Sequence, residues 1–300
     1  MRYTIFLLLL TIGCGTDDKL EDVTLLCTDD LGYETPPPDS ARGLDRANCY
    51  RTAMGLEPGV LSRALDEASQ AHAEYMNGAN TMTHQELPIR GGFTGEWVWD
   101  RVESVGYDCC IGRMVSEVVS YGYDPAGAVD GWVQSVYHRA PFTMPHWTEV
   151  GFGQSGDYSS MTFITPYPGH ARLAVIYPYD GQVDVPPTFN SDWESPDPAP
   201  GLGVVGTPIT VTVADTEVVW DEFNPYDLRL IEASLTGPGG EQVDVLLSDP
   251  GDDEALSHMA VMLPTAPLQS GAEYSAVMTV QWADEQETFT AVFSTGPADQ

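Results

Sequence analysis

Lysine is almost absent from this chain. Its 300 residues hold 12 basic side chains against 45 acidic ones, and Lys19 is the single lysine. A net charge of −33 repels nucleic acid and anionic lipid headgroups, so neither is expected as a charge-held partner. Long apolar runs are missing as well. Ile5-Phe6-Leu7-Leu8-Leu9-Leu10 falls short of the roughly 20 residues that span a bilayer. Neither a His-Glu-x-x-His nor a nucleophile elbow occurs, which removes two common hydrolase types. Cysteine is scarce, with five in all.

What is present first concerns export. Arg2, the apolar run and the small residues before Cys14 describe a secretory signal over 1–13. Ile12-Gly13-Cys14 resembles the bacterial lipobox, with Thr11 where that motif prefers leucine. The resemblance implies lipidation at Cys14 and a membrane partner reached through the lipid anchor. The protein is then expected at the cell envelope, on the outer membrane or cell surface, and otherwise secreted. Residues 14–41, with Asp17-Asp18, Asp29-Asp30 and Pro36-Pro37-Pro38, read as a tether. The other cysteines, Cys27, Cys49, Cys109 and Cys110, are disulfide candidates in an exported chain. A bridge between neighbours Cys109 and Cys110 would be strained, so each is expected to reach back to Cys27 or Cys49.

From Leu44 the pattern turns helical. One helix is expected to run from Leu44 to about Gly55. A second, opened by Glu57-Pro58, carries Leu61, Leu65, Ala68, His72, Tyr75 and Met76 on one face and stops at Gly78 and Asn80. Residues 97–106 and a helix from Pro125 through Val136 follow. Short strands are expected at 114–119, 151–153 and 160–164. After Tyr167-Pro168-Gly169 the period changes to two, and strands recur from Ile209 to Phe293 between Gly/Pro-rich turns. The fold class is therefore α+β: a mixed domain over 42–168, then an all-β sandwich over 169–300.

Polar groups cluster near the helix ends of the first half. His84 follows the second helix, Glu117 stands between valines, and Ser135 and His138 close the fourth helix three residues apart. Two imidazoles and a carboxylate are ligand types that a zinc-like divalent cation accepts. The ordered set Asn48…Arg51…Gly55-Leu56…Ala68…His72-Ala73…His84 is similar to the opening of a CAP domain, also called SCP. So are Asp100-Arg101, Trp132…Ser135…His138-Arg139 and Thr148-Glu149-Val150-Gly151-Phe152-Gly153. The resemblance implies an α–β–α sandwich whose cleft holds a tetrad of two histidines and two glutamates. By position, His84, Glu117 and His138 match three members, as candidate ligands of a divalent cation. Ser135 stands where the second glutamate belongs, and the family's Gly-Glu-Asn is here Ser116-Glu117-Val118. His72 reads as structural, and Trp97, Trp99, His146 and Trp147 as rim or core.

The second half resembles immunoglobulin-like domains of secreted bacterial proteins, through Tyr177-Pro178…Asp180-Gly181 and Phe293-Ser294-Thr295-Gly296. Its acidic clusters 215–221 and 249–254 read as solvated faces. Three functions stay open: a binding module for a small apolar ligand, lipid or surface protein; a metal-dependent hydrolase using His84, Glu117 and His138; or a structural or adhesion protein. The missing second glutamate favours the first.

Overall fold

A computed structural model describes residues 38–108, 113–144, 147, 149–166, 173–214, 227–282 and 285–297. The signal segment, Cys14, Cys27, Cys109, Cys110, His146, the 215–221 cluster and the junction at 167–172 lie outside the described residues. Cys49 lies inside them and is disulfide-bonded.

The first half runs α1 (Asp39–Ala53), β1 (Val60–Leu61), α2 (Arg63–Ala79), α3 (Val98–Ser104), β2 (Arg113–Tyr121), α4 (Pro125–Gln134), α5 (Ala140–Thr143), β3 (Glu149–Ser155) and β4 (Tyr158–Pro166). The sheet order is β1-β3-β4-β2, with β1 parallel to β3 and the other pairs antiparallel. Two-residue alternation splits the sheet's faces. Val118, Phe152, Met161 and Phe163 point one way, into a core with Leu44 and Ala47 of α1, Val129, Trp132 and Val133 of α4, and Phe142 of α5. Glu117, Val119, Ser160 and Thr162 alternate with that set and meet α2, where the Ser69 hydroxyl bonds Thr162 Oγ1 at 2.9 Å. The three layers are α–β–α. On β3 the α2-facing positions are Gly151 and Gly153, and a Cβ there would lie 2.0 Å from the Leu65 carbonyl carbon and 2.2 Å from the Gln70 nitrogen. The helix backbone thus rests directly on the strand.

Several expected helix boundaries move, and α1 already begins at Asp39 rather than Leu44. Glu57-Pro58 does not open α2. Residues 60–61 pair with β3, the Ser62 N–H bonds Val150 O at 2.9 Å, and α2 starts at Arg63. Gly78 stays helical, and Asn80 ends the helix in the left-handed conformation at φ 49°. α4 is capped by Asp124, which accepts from the Gly127 N–H at 2.8 Å, with Pro125 in the first turn. It ends at Gln134, so Val136 and His138 sit in the turn beyond it rather than on the helix.

The second half is all β: β5 (Leu173–Tyr177), β6 (Phe189–Asn190), β7 (Val204–Val205), β8 (Ile209–Ala214), β9 (Arg229–Thr236), β10 (Val245–Ser248), β11 (Met259–Pro264), β12 (Glu273–Trp282) and β13 (Glu285–Ser294). Two sheets, β10-β11-β8-β5 and β13-β12-β9, enclose Val211, Leu235, Met262, Met278, Val280 and Trp282; β6 and β7 form a separate pair. The outer face of the first sheet is not solvated. Met259, Val261 and Leu263 of β11 pack with Val136, Ala199 and Val205. Arg139 is fully buried at this junction. Its Nε donates to Val133 O (2.6 Å) and its Nη1 to Pro208 O (2.7 Å), while the guanidinium lies 4.4 Å from the Tyr177 ring centre. Burial lowers its pKa to about 10. Among the described residues no helix is long and apolar enough to cross a membrane.

His258 precedes β11 at φ 63°, and burial lowers its pKa to about 4. An unfolded histidine protonates near pH 6.5. Between these values the unfolded state binds more protons, so stability falls as pH drops from about 6.5 to 4. Allowing for partial exposure, roughly 2 kcal/mol should be lost over that window. His258→Asn, which tolerates the left-handed backbone, should flatten this part of the urea-unfolding profile. An unchanged slope would assign the loss elsewhere.

Candidate functional site

The centre of the first half is a buried ionic cluster. His72, on the inner face of α2, points Nδ1 at Glu86 Oε1 (2.9 Å) and Nε2 at Thr83 O (2.8 Å). Each ring nitrogen of His72 thus faces an oxygen, one of a carboxylate and one of a backbone carbonyl. Glu86 is fully buried and also accepts from the backbone N–H of Thr94 at 2.6 Å. Arg101 of α3 reaches across to β2, where its Nη2 meets both oxygens of Glu117 at 2.8 and 2.7 Å. His84 Nδ1 stands 3.0 Å from Glu117 Oε1, and the Ser160 hydroxyl donates to Oε2 at 3.3 Å. Burial alone would raise both carboxyl pKa values. For Glu117 the His84 hydrogen bond and the charges of Arg101, His72 and His84 outweigh it and leave the pKa lowered. For Glu86 the His72 and Thr94 hydrogen bonds and the charge of Arg101 do the same. The two buried carboxylates thus share the Arg101 guanidinium and the His72 ring between them.

His84 and Glu117, two of the three residues that the resemblance assigns to one cleft, lie side by side. The Glu117 side chain is 3% exposed, the His84 side chain 49%. His138 is spent differently. Its Nδ1 lies 2.9 Å from Glu194 Oε1, and Ser135 Oγ approaches the same nitrogen at 3.3 Å. The Ser135 hydroxyl donates to Trp132 O (2.9 Å), so it does not face the outer ring nitrogen as a nucleophile would. The trio His84, Glu117 and His138 does not fit a divalent cation in this arrangement. Both oxygens of Glu117 are taken by Arg101, and among the described residues no three His, Cys, Asp or Glu side chains group as metal ligands.

The loop from α2 to α3 contains His84 and carries large apolar side chains in the open, Met82, Leu87, Ile89, Phe93 and Trp97, with Trp99 following in the first turn of α3. Ile89 is 92% exposed, and Trp97 and Trp99 stack on each other with ring centres 5.8 Å apart. The loop is fixed from beneath. Glu86 ties its two arms together through the Thr94 N–H and its own N–H to Glu96 O (2.9 Å), and Tyr75 Oη accepts from the Leu87 N–H (2.8 Å). Trp147 instead belongs to the core, under the Arg51 guanidinium at 4.1 Å.

The motif residues of α1 prove to be scaffolding. Asn48 pairs with both the N–H and the carbonyl of Gly59, and Arg51 gathers the carbonyls of Glu57, Phe142 and Met144. Sequence reasoning gave no role to Glu86, Arg101 or Glu194. Arg101 stood inside a quoted motif, but nothing local marks Glu86 or Glu194.

Residues 44–166 match the model of the Cysteine-rich secretory protein family, CAP. No curated protein matches the chain. Among solved structures, an extracellular SCP-domain protein from Bacillus anthracis is 18% identical over 42% of this chain and 40% of that one, at a TM-score of 0.38. An outer surface protein from Borrelia burgdorferi is 14% identical over 41% and 89%, at 0.34. A cysteine-rich secretory protein from Staphylococcus aureus is 15% identical over 44% and 42%, at 0.32. The match thus covers less than half of the Bacillus and Staphylococcus chains. Over residues 44–166 the chain carries a CAP domain of the cysteine-rich secretory protein family.

Proposed function

We propose that this is an exported protein, lipid-anchored at Cys14, whose CAP domain binds a small apolar ligand or the apolar face of a surface partner. An immunoglobulin-like sandwich completes it. One observation carries the reading: the rigidly held segment around His84 that presents Met82, Leu87, Ile89, Phe93, Trp97 and Trp99 to solvent. Exposed large apolar side chains concentrated in one short segment are the kind of surface that marks interaction sites. The hydrolase alternative is less well supported. Glu117, the base it needs, is bound on both oxygens by Arg101, and Ser135 is committed to Trp132 O.

The test is a titration of the full mature chain with N-phenyl-1-naphthylamine, an uncharged apolar fluorophore that the acidic surface does not repel. Saturable binding is expected, weakened at least about tenfold by Trp97→Ala with Trp99→Ala, a loss near 1.4 kcal/mol. The melting temperature should stay within a few degrees, because both rings are exposed. Binding that never saturates, or that ignores the double substitution, would reject the loop as the site.

A further inference from the structure

Glu194 belongs to the all-β half, yet its carboxylate is buried against the CAP domain with its side chain 1% exposed. Four N–H groups of one short turn converge on it. Oε2 accepts from Val136 N at 2.8 Å; Oε1 accepts from Tyr137 N at 2.6 Å, His138 N at 3.1 Å and His138 Nδ1 at 2.9 Å. Successive backbone N–H groups curled around one point form an anion-binding nest, here closed by an imidazole. Tyr137 strengthens the same junction, donating its hydroxyl to Asp253 at 2.6 Å.

We propose that the turn 135–138 is a carboxylate receptor, that the C-terminal half fills it with Glu194, and that Glu194 is thereby the positioning residue for His138. The chemistry runs in one direction. Oε1 already accepts two backbone N–H bonds, so the group facing it on the ring must be a donor. Nδ1 therefore carries a hydrogen, and whenever the ring is neutral its lone pair lies on Nε2. A second partner fixing the tautomer is the way a histidine is set for use at its other nitrogen. The His138 side chain is 25% exposed, and no protein atom among the described residues bonds its Nε2. His84 repeats the device: Nδ1 on a buried carboxylate, Nε2 left outward. The second domain is then part of the CAP surface, supplying the group that orients one of its two outward histidines. The inference deepens the binding-module reading, but its test needs no ligand of that module.

The experiment uses the full chain with isotope-labelled histidine at about pH 8.5, above the ordinary histidine range. Long-range proton–nitrogen correlation reports which ring nitrogen of His138 is protonated. The wild type is expected in the Nδ1–H form. Glu194→Ala should lose that form, and acetate, added as the probe, should restore it by entering the vacated nest. Wild-type His138 in the Nε2–H form overturns the proposal without any variant. So does an unchanged spectrum in Glu194→Ala, or an acetate series that leaves that variant's spectrum unmoved. If Glu194→Ala melts, Glu194→Met keeps most of the volume without an acceptor, and the same loss of the Nδ1–H form is required of it. Failure of the fluorophore titration would reject the loop as a binding site and leave this result standing.

Discussion

Replacing Arg101 with methionine is expected to lower the unfolding free energy by about 4 kcal/mol, the range for stripping one partner from a buried ion pair. The guanidinium is 1% exposed and is held by Glu117 at 2.7 Å, with the Glu86 carboxylate 4.0 Å from its Nε. Methionine fills much of the volume but leaves Glu117 with His84, Ser160 and, 3.7 Å away, His72. The variant should also shift the acid limb. In the wild type both carboxyl pKa values are lowered, so their stabilisation is present above the unfolded value near 4.3 and fades as pH falls through the folded values. Without Arg101 those folded values rise, and the loss begins at higher pH. Urea unfolding across pH 3–7 reads both effects. Adding Glu117→Gln to the variant should return part of the stability, because it removes the orphaned charge. A wild-type midpoint in the single variant would show that the cluster holds nothing together.

Gly151→Ala should cost more than about 3 kcal/mol, although it adds one carbon. That carbon would sit 2.0 Å from the Leu65 carbonyl carbon and 2.3 Å from its oxygen. These are backbone atoms of α2, so no side chain can turn aside, and the helix must lift from the sheet. Lifting it would also strain the His72–Glu86 contact. Gly78→Ala supplies the control within the same helix. Nothing lies within 4 Å of its would-be Cβ, and alanine suits a helix interior better by about 1 kcal/mol. Opposite shifts of the melting curve from the same chemical change would locate the cost in the helix–strand approach. Equal shifts would refute that account.

How much of this was legible in the sequence depends on the range of the interaction. The faces of α1, α2 and α4 follow from three- and four-residue spacing, and β2, β4 and the later strands from alternation. The tight α2–β3 approach is foreshadowed by Gly151 and Gly153, once they are seen to alternate with Val150 and Phe152. β1 could not be read: two residues have no period, and only the partner strand makes them extended. In β8 the alternation Ile209-Thr210-Val211-Thr212-Val213 suggests one wet face. Yet Thr210 and Thr212 are fully buried, because Arg139 and Thr143 of the first half cover them. The same limit applies at the site. His84 and Glu117 were matched through an ordered motif. Glu194 meets His138 across 56 residues and a domain boundary, where no local pattern operates.

A chain built this way offers trypsin-like proteases, which cut after lysine and arginine, few sites in open loops among its described residues. Lysine is nearly missing, and Arg51, Arg101 and Arg139 are sealed inside. Arg63, Arg113 and Arg229 are exposed but lie within α2, β2 and β9, whereas Arg90 is exposed in the apolar loop, next to Ile89. Cleavage there would sever the loop between Leu87 and Phe93 while Glu86 still bonded Thr94 beneath it. Such a cut would thus break the proposed binding surface while the contacts beneath it still held.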